Sequence, residues 1–398
     1  MPGPLSDIRV LDIATFLAAP FCGTILADFG ADVIKVEQPG GGDSLRRFGT
    51  MTECGDTLTW LSEARNKGSV TLDLRKPDGA DLFRRLVAES DVVLENFRPG
   101  TLEKWGLGYD DLARINPKLV MLRVSAYGQT GPMREMPGFA RIAHAFGGLA
   151  YLAGEPGRAP VVPGSTSLAD YMSGMFGAIG VLVALRHAQQ TGEGQSIDIA
   201  LYESIFRVLD EIAPAYAKSG FVRERMGPDT VNIVPHSHYE TRDGAWVALA
   251  CSNDRMWERL STAMGRPELA ADPRYARPDA RNDHRAEVNG MVADWVRGLD
   301  CADVLAACAA AEAPCSKLLN IADIFAHPQF AARENLRTVE DPRLGRVVLP
   351  GPLPHMSRTP PELKTAGPAL GDANERVLGG LLGLAAERIA ELKAGGVI

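Results

Sequence analysis

The stretch IRVLDIATFLAAPFCGTILADFGADVIKVE, residues 8–37, decides the fold. It opens with IRVLDIA, a β-branched and apolar run that reads as a strand. PFCGTILADFG then spaces its apolar residues as a helix would, with Gly30 as the stop signal, and DVIKVE returns to a strand. Strand, helix, strand is one βαβ unit.

The pattern recurs downstream. SVTLDL (69–74), a helix over Pro77–Ser90 with proline in its first turn, DVVLENF (91–97), a short helix near Tyr109–Ile115 and KLVMLRVSA (118–126) continue the alternation. Alternating strands and helices specify the α/β class with a doubly wound parallel sheet. From Ser165, STSLADYMSGMFGAIGVLVALRHAQQTGEG reads as a long, almost wholly apolar helix closed at Gly192 and Gly194. QSIDIAL is expected as a further strand and YESIFRVLDEIAPAYAKSG as one further helix.

The polar, Gly/Pro-containing stretch around 220–235 reads as a linker. Beyond it, HYETRDGAWVALAC supplies two strands joined at Arg242-Asp243-Gly244, followed by helices over Asp254–Met264, Asn282–Gly298 and Cys301–Glu312. After Phe330 the expectation is extended chain with one strand near 346–349, then helices over Asn374–Leu382 and near Ala385–Ala394. The chain therefore divides into a large domain, 1–220 completed by 331–398, and a small α+β domain, 221–330.

Composition narrows the function by exclusion. The 398 residues carry a formal net charge of −8 with no long Lys/Arg block, which argues against a nucleic-acid partner. The six cysteines form no C-x-x-C pair, and MPGPLSDIRVLDIA lacks the regions of a signal peptide, so a reducing cytoplasm is the expected compartment. No apolar run reaches the ~18 to 20 residues that span a bilayer. The longest, Met172–Leu185, is interrupted by glycine and suits a buried helix, so no membrane partner is expected. His236 and His238 alternate onto one face of a strand, yet no acidic or cysteine ligand completes a metal set, and no metal is expected.

Seven strings stand in a familiar order: VLDIATFLAAPFCGTILADFGADVIKVEQPGGGD, ARNKGSVTLDL, ENFRPGTLEKWGLGYDDL, VSAYGQTGP, TGEGQSIDIALYES, DPRYARPDARNDHR and GPALGDAN. Together they resemble the family III CoA transferases, the CaiB/BaiF group that includes formyl-CoA transferase and α-methylacyl-CoA racemase. The resemblance covers essentially the whole chain. It implies a Rossmann-like large domain, a small inserted domain, and two subunits of a homodimer threaded through one another as interlocked rings. It also implies CoA as part of an acyl-CoA substrate and a small carboxylic acid as the second substrate.

Residue by residue, the resemblance places the nucleophile at Asp170. The CoA contacts fall at Phe16, Leu17 and Ala18, at Gln38, at Leu72, Asp73, Leu74 and Arg75, at Asn96, Phe97 and Arg98, and at Lys104. Gln38 stands where the family often has a cation, while Arg75, Arg98 and Lys104 are the candidates for phosphate. Tyr127, Gln129, Ala140, His144, His236 and His238 are the candidates for the acyl and acid pockets. Read without the resemblance, Asp170 is equally a first-turn acid at the head of an apolar helix. Racemase relatives carry a Gly-His-Asp string where this chain has Gly138-Phe139-Ala140. Phe139 cannot exchange a proton, which favours transfer over racemisation, with His144 keeping an isomerase reading open. A CoA-binding subunit without catalysis is the remaining alternative. Arg-rich strings at Arg223–Met226 and near 277–285 favour a dicarboxylate such as succinate as the acid.

Overall fold

The computed structural model describes residues 3–398 and separates them into two compact units. The larger comprises the chain up to Ala150, Val162–Pro214 and Gln329–Ile398. Its centre is a six-stranded sheet made from β1 (Arg9–Asp12), β2 (Asp32–Glu37), β3 (Gly68–Thr71), β4 (Val92–Glu95), β5 (Val120–Ser125) and β6 (Ser196–Ala200). The strands lie in the order β3-β2-β1-β4-β5-β6 and every pair is parallel. This is the doubly wound arrangement, and the order reverses between β1 and β4.

Both faces of the sheet are covered, which is why β1, β4 and β5 read as near-continuous apolar runs. Side chains alternate across the pleat. Val10, Val33, Leu94 and Leu122 pack on α1 (Ala18–Asp28) and the long helix, whereas Leu11, Ile34, Val93 and Met121 pack on α2 (Pro77–Ala88) and the chain's C-terminal end. That end returns to the free edge of β3: Ala373 N donates to Ser69 O at 2.8 Å, and Asp73 N to Val397 O at 2.8 Å. The edge is thereby closed to pairing with another chain.

Further along lie α3 (Ala140–Phe146), α4 (Leu168–Thr191), α5 (Leu201–Phe206) and α6 (Ile212–Ser219). The single helix expected after β6 is two. Asp210 adopts φ 42° between them, and Pro214 is tolerated only because α6 starts two residues before it. The C-terminal segment holds two strands where one was expected. Leu336–Asp341 and Gly345–Pro350 pair antiparallel, and their turn closes through the Asp341 carboxylate accepting from Arg343 N at 2.8 Å rather than through an Asn-Gly pair.

Helix α4 also corrects an expectation. Its 24 residues, with a mean hydropathy of 1.6 over the most apolar window, are long and apolar enough to cross a bilayer by length and composition. Here one face of it lies against α1 and β5, burying Ala169, Ser173, Gly174, Gly177, Val181 and Ala184. A Cβ on Gly174 would stand 2.7 Å from Ala18 O, and one on Gly177 would stand 2.6 Å from Leu122 Cδ2. Glycine at both positions is what lets the two helices and the strand approach this closely.

The smaller unit, Tyr151–Val161 with Ala215–Pro328, carries a three-stranded antiparallel sheet of β7 (His236–Glu240), β8 (Trp246–Ala250) and β9 (Cys315–Lys317). Helices α7 (Asp254–Ala263), α8 (Arg285–Arg297) and α9 (Cys301–Ala310) cover one face of it. Trp257, Leu260, Val292, Val304, Cys301 and Cys308 fill its core with Tyr239, Val247 and Leu249. The helix expected over Asn282–Gly298 breaks at His284, with a short helix, Pro278–Asp283, before it.

Candidate active site

In a doubly wound sheet the loops at the carboxyl ends of the strands diverge where the order reverses, and the crevice between them is where ligands bind. In this protein the two loops are Ile13–Leu17 after β1 and Asn96–Gly100 after β4. They are pinned to each other by a reciprocal pair: Thr15 N donates to Asn96 Oδ1 at 2.8 Å, and Asn96 Nδ2 donates to Thr15 O at 2.7 Å.

Two cavities open here, each of about 300 Å³, and Thr15 and Phe97 line both. One runs over the ends of β2 and β3, bounded by Gln38, Leu72, Asp73, Leu74, Arg75 and Trp105. The other is bounded by Phe16, Leu17, Ala18, Asn96, Arg98, Ser125, Phe139 and Asp170. A continuous cleft therefore leads from the β2–β3 edge to Asp170. Every residue suggested for CoA contact lines it except Lys104, which is exposed and borders neither cavity.

Asp170 is the third residue of α4. Among the described residues lining its cavity it is the only carboxylate, and no histidine joins it. Burial pushes its pKa up from 3.8 to about 7. A carboxylate so poorly hydrated is a more basic nucleophile than one in water. Leu17 and Ala18, at the head of α1, border the same cavity. The first turns of two helices thus meet at Asp170; the α4 amides of Ala169, Asp170 and Tyr171 are taken by His144 and Ser167, and the first-turn amides of α1 have no partner inside their own helix.

The loop that carries Phe16 is held from below by a buried lattice of alternating charge. Phe16 has φ 60°, an uncommon conformation for a side chain with a Cβ. Its amide donates to Asp43 Oδ1 at 3.0 Å, and Asp43 Oδ2 faces Lys35 Nζ at 3.0 Å. Lys35 also meets Asp12 at 3.4 Å, and Asp12 meets Lys67 at 2.9 Å. Burial disfavours the charge on Lys35, but Asp12, Asp43 and Glu37 outweigh it and raise its pKa. For Asp12, burial pushes upward and the two lysines pull its pKa below the ordinary value. Gly42 has φ 62° beside Arg46 and Glu37, so the Gly40–Asp43 turn packs on ion pairs rather than cradling a phosphate.

The cations suggested for phosphate differ in availability. Asp73 chelates Arg75 at 2.8 Å, whereas Arg98 is exposed and has no acidic partner among the described residues. Phe139 is 69% exposed and turns its ring edge to Phe16 across the mouth of the cavity. Tyr127 meets Phe146 edge to face, the amide of Gln129 donates to Asp198, and Ala140 is buried; none of the three borders the cavity around Asp170. His144 is 2% exposed and also lines neither cavity; its Nε2 accepts the amide of Ala169 at 3.1 Å. In the smaller unit, His236 and His238 lie with Ser316 around a separate hollow of about 400 Å³. Two of the arginines proposed to recognise a dicarboxylate have internal partners: Arg281 bonds Val234 O, Tyr275 O and Asp254, and Arg225 bonds Tyr151 O. Sequence reading missed the Thr15–Asn96 clasp and the Gly174–Gly177 packing. The only visible signal was a run of glycines in an apolar helix.

Among known proteins, residues 5–374 match the sequence pattern of CoA-transferase family III. The chain belongs to that family. Over 397 residues, 99% of this chain and 98% of the relative, it is 55% identical to the succinyl-CoA–L-malate CoA-transferase beta subunit of Chloroflexus aurantiacus. It is 38% identical to the succinate–glutarate CoA-transferase of Agrobacterium fabrum, over 94% of this chain and 95% of that one. The crystal structure of a CaiB/BaiF family protein from Brucella suis superposes with a TM-score of 0.83 at 36% identity, covering 96% of this chain and 100% of that one. The protein is therefore a family III CoA-transferase, an enzyme that moves CoA between acids and takes CoA thioesters as substrates. The cleft over the β1–β4 reversal is the part of the fold whose size and lining suit such a substrate.

Proposed function

We propose that the enzyme passes CoA from succinyl-CoA to a small carboxylic acid of the malate or glutarate type through a covalent intermediate on Asp170. The observation that carries this reading is the isolation of Asp170, among the described residues, as the one carboxylate lining its own cavity, which no histidine lines. Its carboxylate oxygen attacks the thioester carbonyl, the C–S bond breaks, and a mixed anhydride and CoA thiolate result. The thiolate attacks the Asp170 acyl carbon, releasing the donor acid as its carboxylate and leaving an aspartyl-CoA thioester. The acceptor carboxylate then attacks that thioester, and the thiolate returns to the acceptor's acyl carbon, regenerating Asp170. Electrons and charge balance without water, metal or oxidant. Helix amides at the head of α1 are suited to the oxyanion that forms at each attack.

Racemisation at the α-carbon needs a base and an acid on opposite faces of that carbon. Phe139 at the mouth and the engagement of His144 elsewhere leave Asp170 without such a partner. A matrix of acyl-CoA donors against acid acceptors, with Asp170→Ala as the blank, tests the proposal. Transfer from succinyl-CoA that vanishes in the blank supports it. Solvent deuterium entering the α-carbon with no acceptor acid present would sink it.

We also assign the exposed apolar face made by Met175, Ile179 and Leu182 of α4 with Leu353 and Met356 to a second subunit. Relatives named as alpha and beta subunits, at 52% and 55% identity, support an assembly of two homologous chains. Light scattering on the purified chain alone reads whether that second subunit is a copy of itself.

A further inference from the structure

A helix leaves the amides of its first turn without intrahelical acceptors, and a side chain at the N-cap ordinarily supplies one. Helix α4 lacks that local device. Its N-cap residue, Ser167, makes no side-chain cap bond and sits at ψ 57°, outside the extended region caps normally adopt. Ser167 O takes the amides of Asp170 and Tyr171. The amide of Ala169, immediately before Asp170, is taken instead by His144 Nε2 at 3.1 Å, a residue 25 positions earlier in the chain and wholly inside the large unit.

We infer that His144 is a positioning residue for catalysis, a neutral imidazole that caps the nucleophile's helix from α3 and so fixes the first turn on which Asp170 is carried. The inference rests on the reading of Asp170 as nucleophile. An imidazole nitrogen that accepts an amide proton carries none itself, so the ring proton is on Nδ1, which is buried without a partner among the described residues. Burial, with Arg141 on the same helix, lowers the His144 pKa and keeps the ring in this accepting form. The ring is held in place by its surroundings: α3 packs on α4 and α5, and Ser173 of α4 bonds Ser204 of α5 at 2.9 Å. Removal of the acceptor would leave a buried amide unsatisfied at the point where the backbone sets the aim of the carboxylate.

The test compares His144→Leu, which fills the space without an acceptor, with His144→Gln, whose amide oxygen restores one. Three quantities are measured in the full-length enzyme: amide hydrogen exchange at Ala169, kcat, and KM for succinyl-CoA. The expected result for His144→Leu is at least tenfold faster exchange at Ala169 and a kcat reduced about tenfold or more, with KM within threefold of wild type. In His144→Gln, exchange and kcat return to within about threefold. Unchanged exchange in His144→Leu would overturn the cap. Faster exchange with unchanged kcat would overturn the positioning role, as would equal impairment of both variants, which would indicate packing alone. The underlying reading fails separately: if Asp170→Ala retained transfer, the nucleophile assignment would fall while the exchange result at Ala169 would still stand or fall by itself.

Discussion

Asp170→Asn is expected to stabilise the enzyme while abolishing its activity, and the gain should depend on pH. The wild-type carboxyl titrates at about 7 in the folded chain because it is buried, against 3.8 ordinarily. Since its folded pKa is the higher one, the native state holds the proton more tightly than the unfolded chain does. The protein therefore loses stability as pH rises from about 4 to about 7, and the loss is complete above that range. A shift of about three units is worth ~4 kcal/mol at ~1.4 kcal/mol per unit. Asp170 borders an open cavity, and water reaching it lowers the figure to roughly 2 kcal/mol. The neutral amide of asparagine carries no such penalty, so its advantage over wild type should grow by roughly 1–2 kcal/mol between about pH 5 and about pH 8, then level off. Guanidinium unfolding of both proteins at several pH values across that range, followed by fluorescence, reads this difference directly. An advantage that is flat with pH, or that shrinks as pH rises, would refute the argument that burial destabilises the charged nucleophile.

Other perturbations follow from the same geometry. Gly174→Ala forces a methyl to within 2.7 Å of Ala18 O, so α4 must move off α1; the expected result is a loss of about 1–3 kcal/mol in unfolding measurements and a lower kcat. Asn96→Ala removes both halves of the clasp on Thr15, and steady-state kinetics should show KM for the CoA thioester raised severalfold, with a smaller effect on kcat. Lys35→Met strips the shared counter-charge from Asp12 and Asp43, and a denaturation midpoint corresponding to a loss of about 3–5 kcal/mol is expected, since both carboxylates stay buried.

The α/β class was legible because βαβ units announce themselves twice, through apolar strands buried on both faces and through the Gly30 and Gly192 helix stops. The cleft-lining residues were carried over from the family resemblance, and they sit at or just past the carboxyl ends of strands the sequence already marked. What escaped detection was set by contacts distant in sequence. The hairpin of Leu336–Asp341 and Gly345–Pro350 closes with an Asp–Arg pair that has no short turn signature, and Tyr151–Val161 joins the smaller unit with no compositional break to mark it. Arg281 looked like a substrate handle because charge density is visible in a sequence, whereas its three internal partners are not. His144 was read as a pocket residue one helical turn beyond Phe139; the register of α3 turns it toward the head of α4.

The most direct measurement is chemical trapping of the covalent intermediate. The enzyme is incubated with succinyl-CoA and hydroxylamine, digested, and its peptides weighed. The account predicts a hydroxamate on the peptide containing Asp170, dependent on the CoA thioester and absent from Asp170→Ala. Transfer that proceeds at full rate while Asp170 stays unmodified, or a hydroxamate on any other carboxylate, would contradict it.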